Sequence, residues 1–329
     1  MKIRNITFII MFIFILSSIS YAQLLPNAQN PPAVPEKKEK KKEIFPKEDW
    51  FKLKAKVNKM DIIYGEPIYL TTEIDNLTTN SFRLNIIPAL TNEVAMIISS
   101  NNGASSRYIG SYDKKLQYIS AAIDMVPQSN ACWDYAICYD LDRQNGYYFD
   151  MEGNYKIDLS ARITIEKEDQ FILYADPINI KVSPPTGIDK EAFDFLYNKE
   201  CAKALHNLST DEITTPKFEE FLKKFPNSIY AQYIEYSLIP ARAGELTTKD
   251  LKETYKKEIV GYESYIKKYP QSPLKFNAMY KIAGCEYYLQ NNDRAKEYLN
   301  KIKKEDPNAP QVNRYDVLNY NLFYSNSGN

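Results

Sequence analysis

Any chemistry in this chain would have to start from His206, its one histidine. A single imidazole supplies neither the ligand cluster of a metal site nor a paired acid and base. It falls near the end of an amphipathic stretch, residues 189–207, where a helix dipole favours its protonated form. No Gly-x-Ser-x-Gly elbow, His-Glu-x-x-His pair or phosphate-cradling glycine loop is present, and ten glycines leave little room for one. The acidic run at residues 140–146 approaches the spacing of a calcium loop, but Gly146 comes one position late, so the run reads as a turn. The inventory points away from catalysis, and neither an enzyme nor a cofactor or metal centre is expected.

Four cysteines offer redox chemistry. Cys201 and Cys285 both fall on apolar helical faces, where they either bridge the first helix to a repeat or serve as small buried residues. Cys132 and Cys138 would lie about 20 Å apart on one continuous strand. A disulfide requires Cα atoms within about 7 Å, so a bridge there demands a turn around residues 134–136. The nearby aromatics Trp133, Tyr135, Tyr139, Tyr147 and Tyr148 offer a stacking surface for sugar rings, and a sheet core accounts for the same residues.

The elements that carry these groups change character at Pro184-Pro185. Before it, Phe51, Leu53, Ala55 and Val57 alternate with Lys52, Lys54, Lys56 and Asn58, and Ile68, Leu70 and Ile74 continue the pattern after the Gly65-Glu66-Pro67 turn. A longer alternation runs from Tyr155 to Ile165 through Ile157, Leu159, Ala161 and Ile163, and Ile178, Ile180 and Val182 close the region. Asn102-Gly103 and Asn145-Gly146 are turn dipeptides, the second placed to close a hairpin. Short strands with such turns predict a sandwich over residues 48–184.

After Pro185 the spacing is helical. One amphipathic helix is predicted over residues 189–207, followed by a segment that occurs twice, FEEFLKKFPNS at 218–228 and YESYIKKYPQS at 262–272. Phe218, Phe221, Leu222 and Phe225, like Tyr262, Tyr265, Ile266 and Tyr269, keep the i, i+3, i+4, i+7 rhythm of one helical face. A further stripe at Leu274, Ala278, Ile282, Cys285 and Leu289 is followed by a break at residues 291–293 and a partner helix over 294–304. A helix unit of this kind buries its stripe only by stacking on neighbours, so residues 185–329 are expected to form a helical repeat domain.

Two resemblances follow from these residues. The Glu152-Gly153-Asn154-Tyr155 step resembles the tyrosine corner of immunoglobulin-like sandwiches, and the GEPI turn the start of bacterial relatives of that fold. Ile157 stands where antibody domains have their second cysteine, so the comparison is with bacterial immunoglobulin-like or fibronectin-like modules. The helical part resembles tetratricopeptide repeats, in particular those of outer-membrane assembly lipoproteins and Tol-Pal coordinators, through Ile282, Ala283, Ala295, Pro307 and the phrase YPQSPLKFNAMYKIA. Glu286 replaces a consensus aromatic, Gln290 a glycine, and the two copies lie 44 residues apart where the family spacing is 34. The excess is assigned to a loop around residues 240–244. The resemblance implies that Asn277, Tyr280 and Tyr287, with Tyr233 and Tyr236 in the earlier copy, line a concave partner-binding groove. In a chain with 27 tyrosines, chance placement on a helical face accounts for them as well.

Lys2 and Arg4 precede an apolar run over residues 6–16, and Ser20-Tyr21-Ala22 supplies small residues for a signal peptidase. The run is shorter than the roughly 20 residues that cross a bilayer, so residues 1–22 read as a signal peptide cleaved near Ala22, with no membrane span in the mature chain. Residues 23–47, rich in proline, lysine and glutamate, read as a flexible linker. With 42 basic and 42 acidic residues over the whole chain, concentrated positive charge for nucleic acid is lacking. These features describe an exported, non-catalytic protein of the periplasm or cell exterior: an immunoglobulin-like β-sandwich followed by a tetratricopeptide-like scaffold that binds protein partners of the cell envelope. A carbohydrate-binding or adhesive module centred on the sandwich is the alternative, and a hydrolase with an unrecognised carboxylate pair ranks below both.

Overall fold

The computed structural model describes residues 48–86, 94–110, 121–165, 169–244, 250–307 and 309–313. The chain divides into two units, Met1–Ile44 and Phe45–Asn329, and every described residue belongs to the second. The signal peptide and the linker read from the sequence, residues 1–22 and 23–47, lie outside the described residues.

The first part is built from strands β1 (Phe51–Val57), β2 (Asp61–Ile63), β3 (Ile68–Asn76), β4 (Phe82–Ile86), β5 (Val94–Ser100), β6 (Ser105–Tyr108), β7 (Ala121–Met125), β8 (Asn130–Ile137), β9 (Gly153–Ile165), β10 (Asp169–Tyr174) and β11 (Ile178–Ser183). One sheet has the order β1-β3-β8. The other runs β2-β11-β9-β4-β7, with β10 and the β5-β6 hairpin also joined through β9. Alternation dictates which side each strand buries: Phe51 and Leu53 of β1, Leu70 and Ile74 of β3, and Tyr155 through Ile165 of β9 point every second side chain into one shared core. The Tyr155 hydroxyl donates back to the Met151 carbonyl at 3.0 Å, closing the corner where β9 starts.

Asn102-Gly103 does turn the β5-β6 hairpin, with Gly103 at φ +84°. Asn145-Gly146 does not close a strand hairpin. It sits in the 138–152 connection with a single bridge, Tyr139 to Tyr147, because Gly146, at φ +79°, is pressed against Ala202 and Lys199, where an added Cβ would come within 3.0 Å of either.

The second part contains α1 (Ile188–Leu196), α2 (Lys199–Asn207), α3 (Thr214–Lys224), α4 (Ala231–Ala243), α5 (Leu251–Lys268), α6 (Lys275–Tyr288), α7 (Asn292–Glu305) and the short α8 (Pro310–Asn313). The single helix expected over 189–207 is broken in two. Asn198 leaves the helical region and accepts from the Cys201 amide at 3.0 Å, giving α2 its own N-cap. The loop expected around 240–244 is also absent, since Pro240 lies inside α4 and the helix ends on Gly244 at φ +95°. Part of the extra repeat length is instead taken up by α5, at 18 residues the longest described helix.

Sheets and helices share a core. Cys138, Tyr139 and Tyr147 from the strand connection pack with Phe193, Leu205, Tyr230 and Tyr233 of the helical part. A smaller cluster around Met279, Ala283, Ala295, Leu299 and Ile302 joins α6 to α7.

Candidate functional site on the helical repeats

The duplicated segments fold alike down to individual hydrogen bonds. Phe225 N bonds Phe221 O and Tyr269 N bonds Tyr265 O, each at 2.8 Å; Ser228 N bonds Phe225 O and Ser272 N bonds Tyr269 O, each at 3.1 Å. Each serine then fixes the turn that leads into the next helix, Ser228 Oγ accepting from Tyr230 N at 3.3 Å and Ser272 Oγ from Leu274 N at 3.2 Å. The proline two residues ahead of each serine stops the preceding helix, and the serine's own hydrogen bond shapes the turn that follows. The repeated unit is therefore helix, Pro-x-Ser turn, helix, realised as α3-α4 and as α5-α6.

This register makes Tyr233 and Tyr236 of α4 equivalent to Asn277 and Tyr280 of α6, as the sequence suggests, but their surroundings differ. Tyr233 and Tyr236 are 1% and 3% exposed, so they line no open groove. Tyr233 donates to Glu66 Oε1 at 3.1 Å, and Tyr236 packs its ring against Tyr262 and Tyr265 at 5.3 and 5.4 Å. Burial first, and then the Glu66 charge, hold the Tyr233 phenol well above its ordinary range. What buries Tyr233 is the neighbouring sheet region, which the helical pattern alone could not reveal. Asn277 is half-buried, its Oδ1 accepting from Gln311 Nε2 of α8 at 2.6 Å, while Tyr280 and Tyr287 are half-buried beside the α6-α7 cluster.

The open surface lies one helical stripe away. Lys281, Gly284 and Tyr288 face out of α6, with Tyr288 55% exposed and, its own helix backbone aside, no atom of the described residues within 4 Å of where a Cβ on Gly284 would stand. Tyr255 of α5 stacks on Tyr288, ring centres 5.4 Å apart and 16° from parallel. Tyr288 and Tyr255 were not singled out from sequence. The signal was available for Tyr288, which follows Asn277, Lys281 and Gly284 at i+11, opposite the buried stripe.

The remaining sequence candidates settle into structural roles. All four cysteines are free and buried. Cys132 to Ala136 runs as continuous strand against Glu73 to Tyr69, so the turn a Cys132–Cys138 bridge requires is absent. Burial foremost, with Glu73 alongside, pushes the Cys132 thiol up to about 12, and burial raises Cys138, Cys201 and Cys285 too, which makes them poor nucleophiles. His206 is driven down to about 4 by burial, so it is neutral despite the α2 dipole. Tyr139, Tyr147 and Tyr148 are buried and Trp133 and Tyr135 half-buried in the core, so the aromatic cluster presents no stacking platform. In the acidic run Asp140 Oδ1 accepts from the Asp142 amide at 2.9 Å and Asp150 pairs with Arg143 at 2.9 Å. Among the described residues no group of three or more His, Cys, Asp or Glu is arranged to hold a metal ion, and no helix is long and apolar enough to cross a membrane.

The last repeat explains its own departure from consensus. Glu286, 1% exposed, takes Arg294 Nη1 at 3.0 Å and Asn291 Nδ2 at 2.8 Å, tying the end of α6 to the first turn of α7. Ala283 and Ala295 are fully buried where the two helices cross, and Ile282 is fully buried in the larger core shared with the preceding helices. Residues 277–309 match the family model for a tetratricopeptide repeat. The matched repeat spans nearly all of α6 and α7 with the Pro307 stop, and small residues at its crossing let the helices approach closely. A search of curated proteins finds no match. Solved structures with partial likeness include the structural-genomics target SoR45 (13% identity, 43% of this chain and 92% of that one, TM-score 0.26) and the C-terminal domain of wzt (9%, 42% and 75%, 0.26). The sporulation control protein Spo0M from Bacillus subtilis gives 12% identity over 48% of this chain and 56% of that one, with a TM-score of 0.25. Likenesses of this size carry no argument here.

Proposed function

We propose that this protein is an exported, non-catalytic scaffold of the cell envelope, whose protein partner docks on the tetratricopeptide repeat at residues 277–309. The observation that carries the reading is the outward stripe of that repeat, where exposed Tyr288 stands with half-buried Tyr280 and Tyr287 around a bare Gly284. A mid-helix glycine costs about 1 kcal/mol relative to alanine, and no packing among the described residues requires it, whereas close approach of a second backbone would. Tyrosine adds contact area with a polar tip at low entropy cost. The export signal at residues 1–22 supports the location, and the tyrosine-corner hydrogen bond from Tyr155 to Met151 supports reading the two sheets as an immunoglobulin-like module that spaces the repeat from its tether.

The test uses the full chain recovered from envelope extract, whose first residue is expected to be Gln23. Wild type and a variant carrying Tyr280→Ala, Tyr287→Ala and Tyr288→Ala, matched in circular dichroism, are used as bait. The variant should lose captured partner at least about tenfold, as for hot-spot tyrosines. Equal capture by a folded variant removes the reading.

A further inference from the structure

The inner wall of the first helical repeat already has an occupant. Tyr230, at the head of α4, donates its hydroxyl to the Tyr64 carbonyl. Tyr233, one turn on, donates to Glu66 Oε1 at 3.1 Å, and its ring centre lies 6.4 Å from that of Tyr69. The three acceptor-side residues belong to one stretch of the sheet region, the turn and strand at 64–69. Gly65 within it has φ +68°, and a Cβ there would stand 2.4 Å from the Phe193 ring and 2.9 Å from Tyr147, so the turn lies with bare backbone against α1.

Glu66 concentrates the contact. It is 1% exposed, and its carboxylate accepts from Lys59 Nζ at 2.6 and 2.8 Å, from the Ile63 amide at 3.3 Å and from Tyr233. A buried charge persists only where donors replace its water, and of these donors only Tyr233 comes from the helical part. The second repeat shows the same arrangement in different chemistry: Asn277, in register with Tyr233, takes its hydrogen bond from Gln311 of α8, and α8 in turn lies against β8.

We infer that the 64–69 segment is a built-in ligand of the first repeat, latched by Glu66 onto Tyr233, so that this wall is closed to outside partners while the latch holds. The closed wall has defined chemistry: two tyrosine hydroxyls spaced to take a backbone carbonyl and, two residues later, a carboxylate. Its significance for partner choice rests on the scaffold reading above, but the latch is tested without any partner.

Hydrogen exchange of the full chain is compared for wild type, Glu66→Ala and Tyr233→Phe. In both variants amides at 62–69 and at 230–238 should exchange faster together, by at least about fivefold for the loss of one hydrogen bond to a charged group. Residues 153–165 and 282–302 should keep wild-type protection. Faster exchange confined to 62–69, or wild-type exchange at 230–238 in Tyr233→Phe, overturns the latch. Should Glu66→Ala unfold the chain, Tyr233→Phe, which removes a hydroxyl and leaves the ring, decides alone. A scaffold with no partner and an intact latch would show this paired exchange yet capture nothing.

Discussion

At His206 two effects oppose each other. The α2 dipole favours the imidazolium, by about 2 kcal/mol at best, and burial beside Tyr139, ring centres 5.9 Å apart, disfavours it. Burial lowers the imidazole from 6.5 to about 4, more than the dipole can offset. Because the folded value lies below the unfolded one, the unfolded chain binds the extra proton between about pH 6.5 and 4. Stability present at neutral pH is therefore lost as the pH falls through that window, by an amount of about 3 kcal/mol. Replacing His206 with Phe should flatten the dependence of Tm on pH in this interval, measured as the difference from wild type, and an unchanged slope would refute the assignment. That a histidine ended a helix could be read from the sequence. Its neutrality could not, because the groups that bury it lie in distant segments, including the strand connection that carries Tyr139.

The α6-α7 hairpin carries a second asymmetry. Glu286 is buried and Arg294 is half exposed, so the two partners are not equivalent to remove. Arg294→Met leaves a carboxylate in the core with Asn291 as its remaining side-chain donor and should cost about 3 kcal/mol. Glu286→Leu leaves an arginine that reaches water and keeps Glu263 at 3.4 Å, puts an apolar residue where the tetratricopeptide consensus has an aromatic, and should cost under about 1 kcal/mol. Urea unfolding measures both, and the reverse order would sink this account. At this scale much was legible. The strands β1, β3, β9 and β11 and the helices α6 and α7 follow from their periodicity, because their apolar spacing states which face is buried. The break at Asn198 and the helical Pro240 were not, since capping and packing overrode the longer apolar pattern.

Across residues 45–329, sheets and helices should unfold together, because the core that holds Tyr139 and Tyr147 is completed by Phe193, Tyr230 and Tyr233. Far-ultraviolet and near-ultraviolet circular dichroism should report one transition with the same midpoint, and two separated midpoints would show that the shared core does not couple the parts. The division at Pro184-Pro185 marks a change of secondary structure inside one compact unit. Local spacing was enough to determine that strands precede helices and that a Pro-x-Ser helix unit occurs twice. All of that is encoded over one or two turns of chain. Which repeat positions stay accessible was decided only in three dimensions: Tyr233 and Asn277 occupy matching positions in their repeats, and a turn 167 residues away in sequence covers the first while the second is half-buried beside Gln311. Periodicity specifies the face a helix buries, and only the tertiary fold specifies what is buried against the other one.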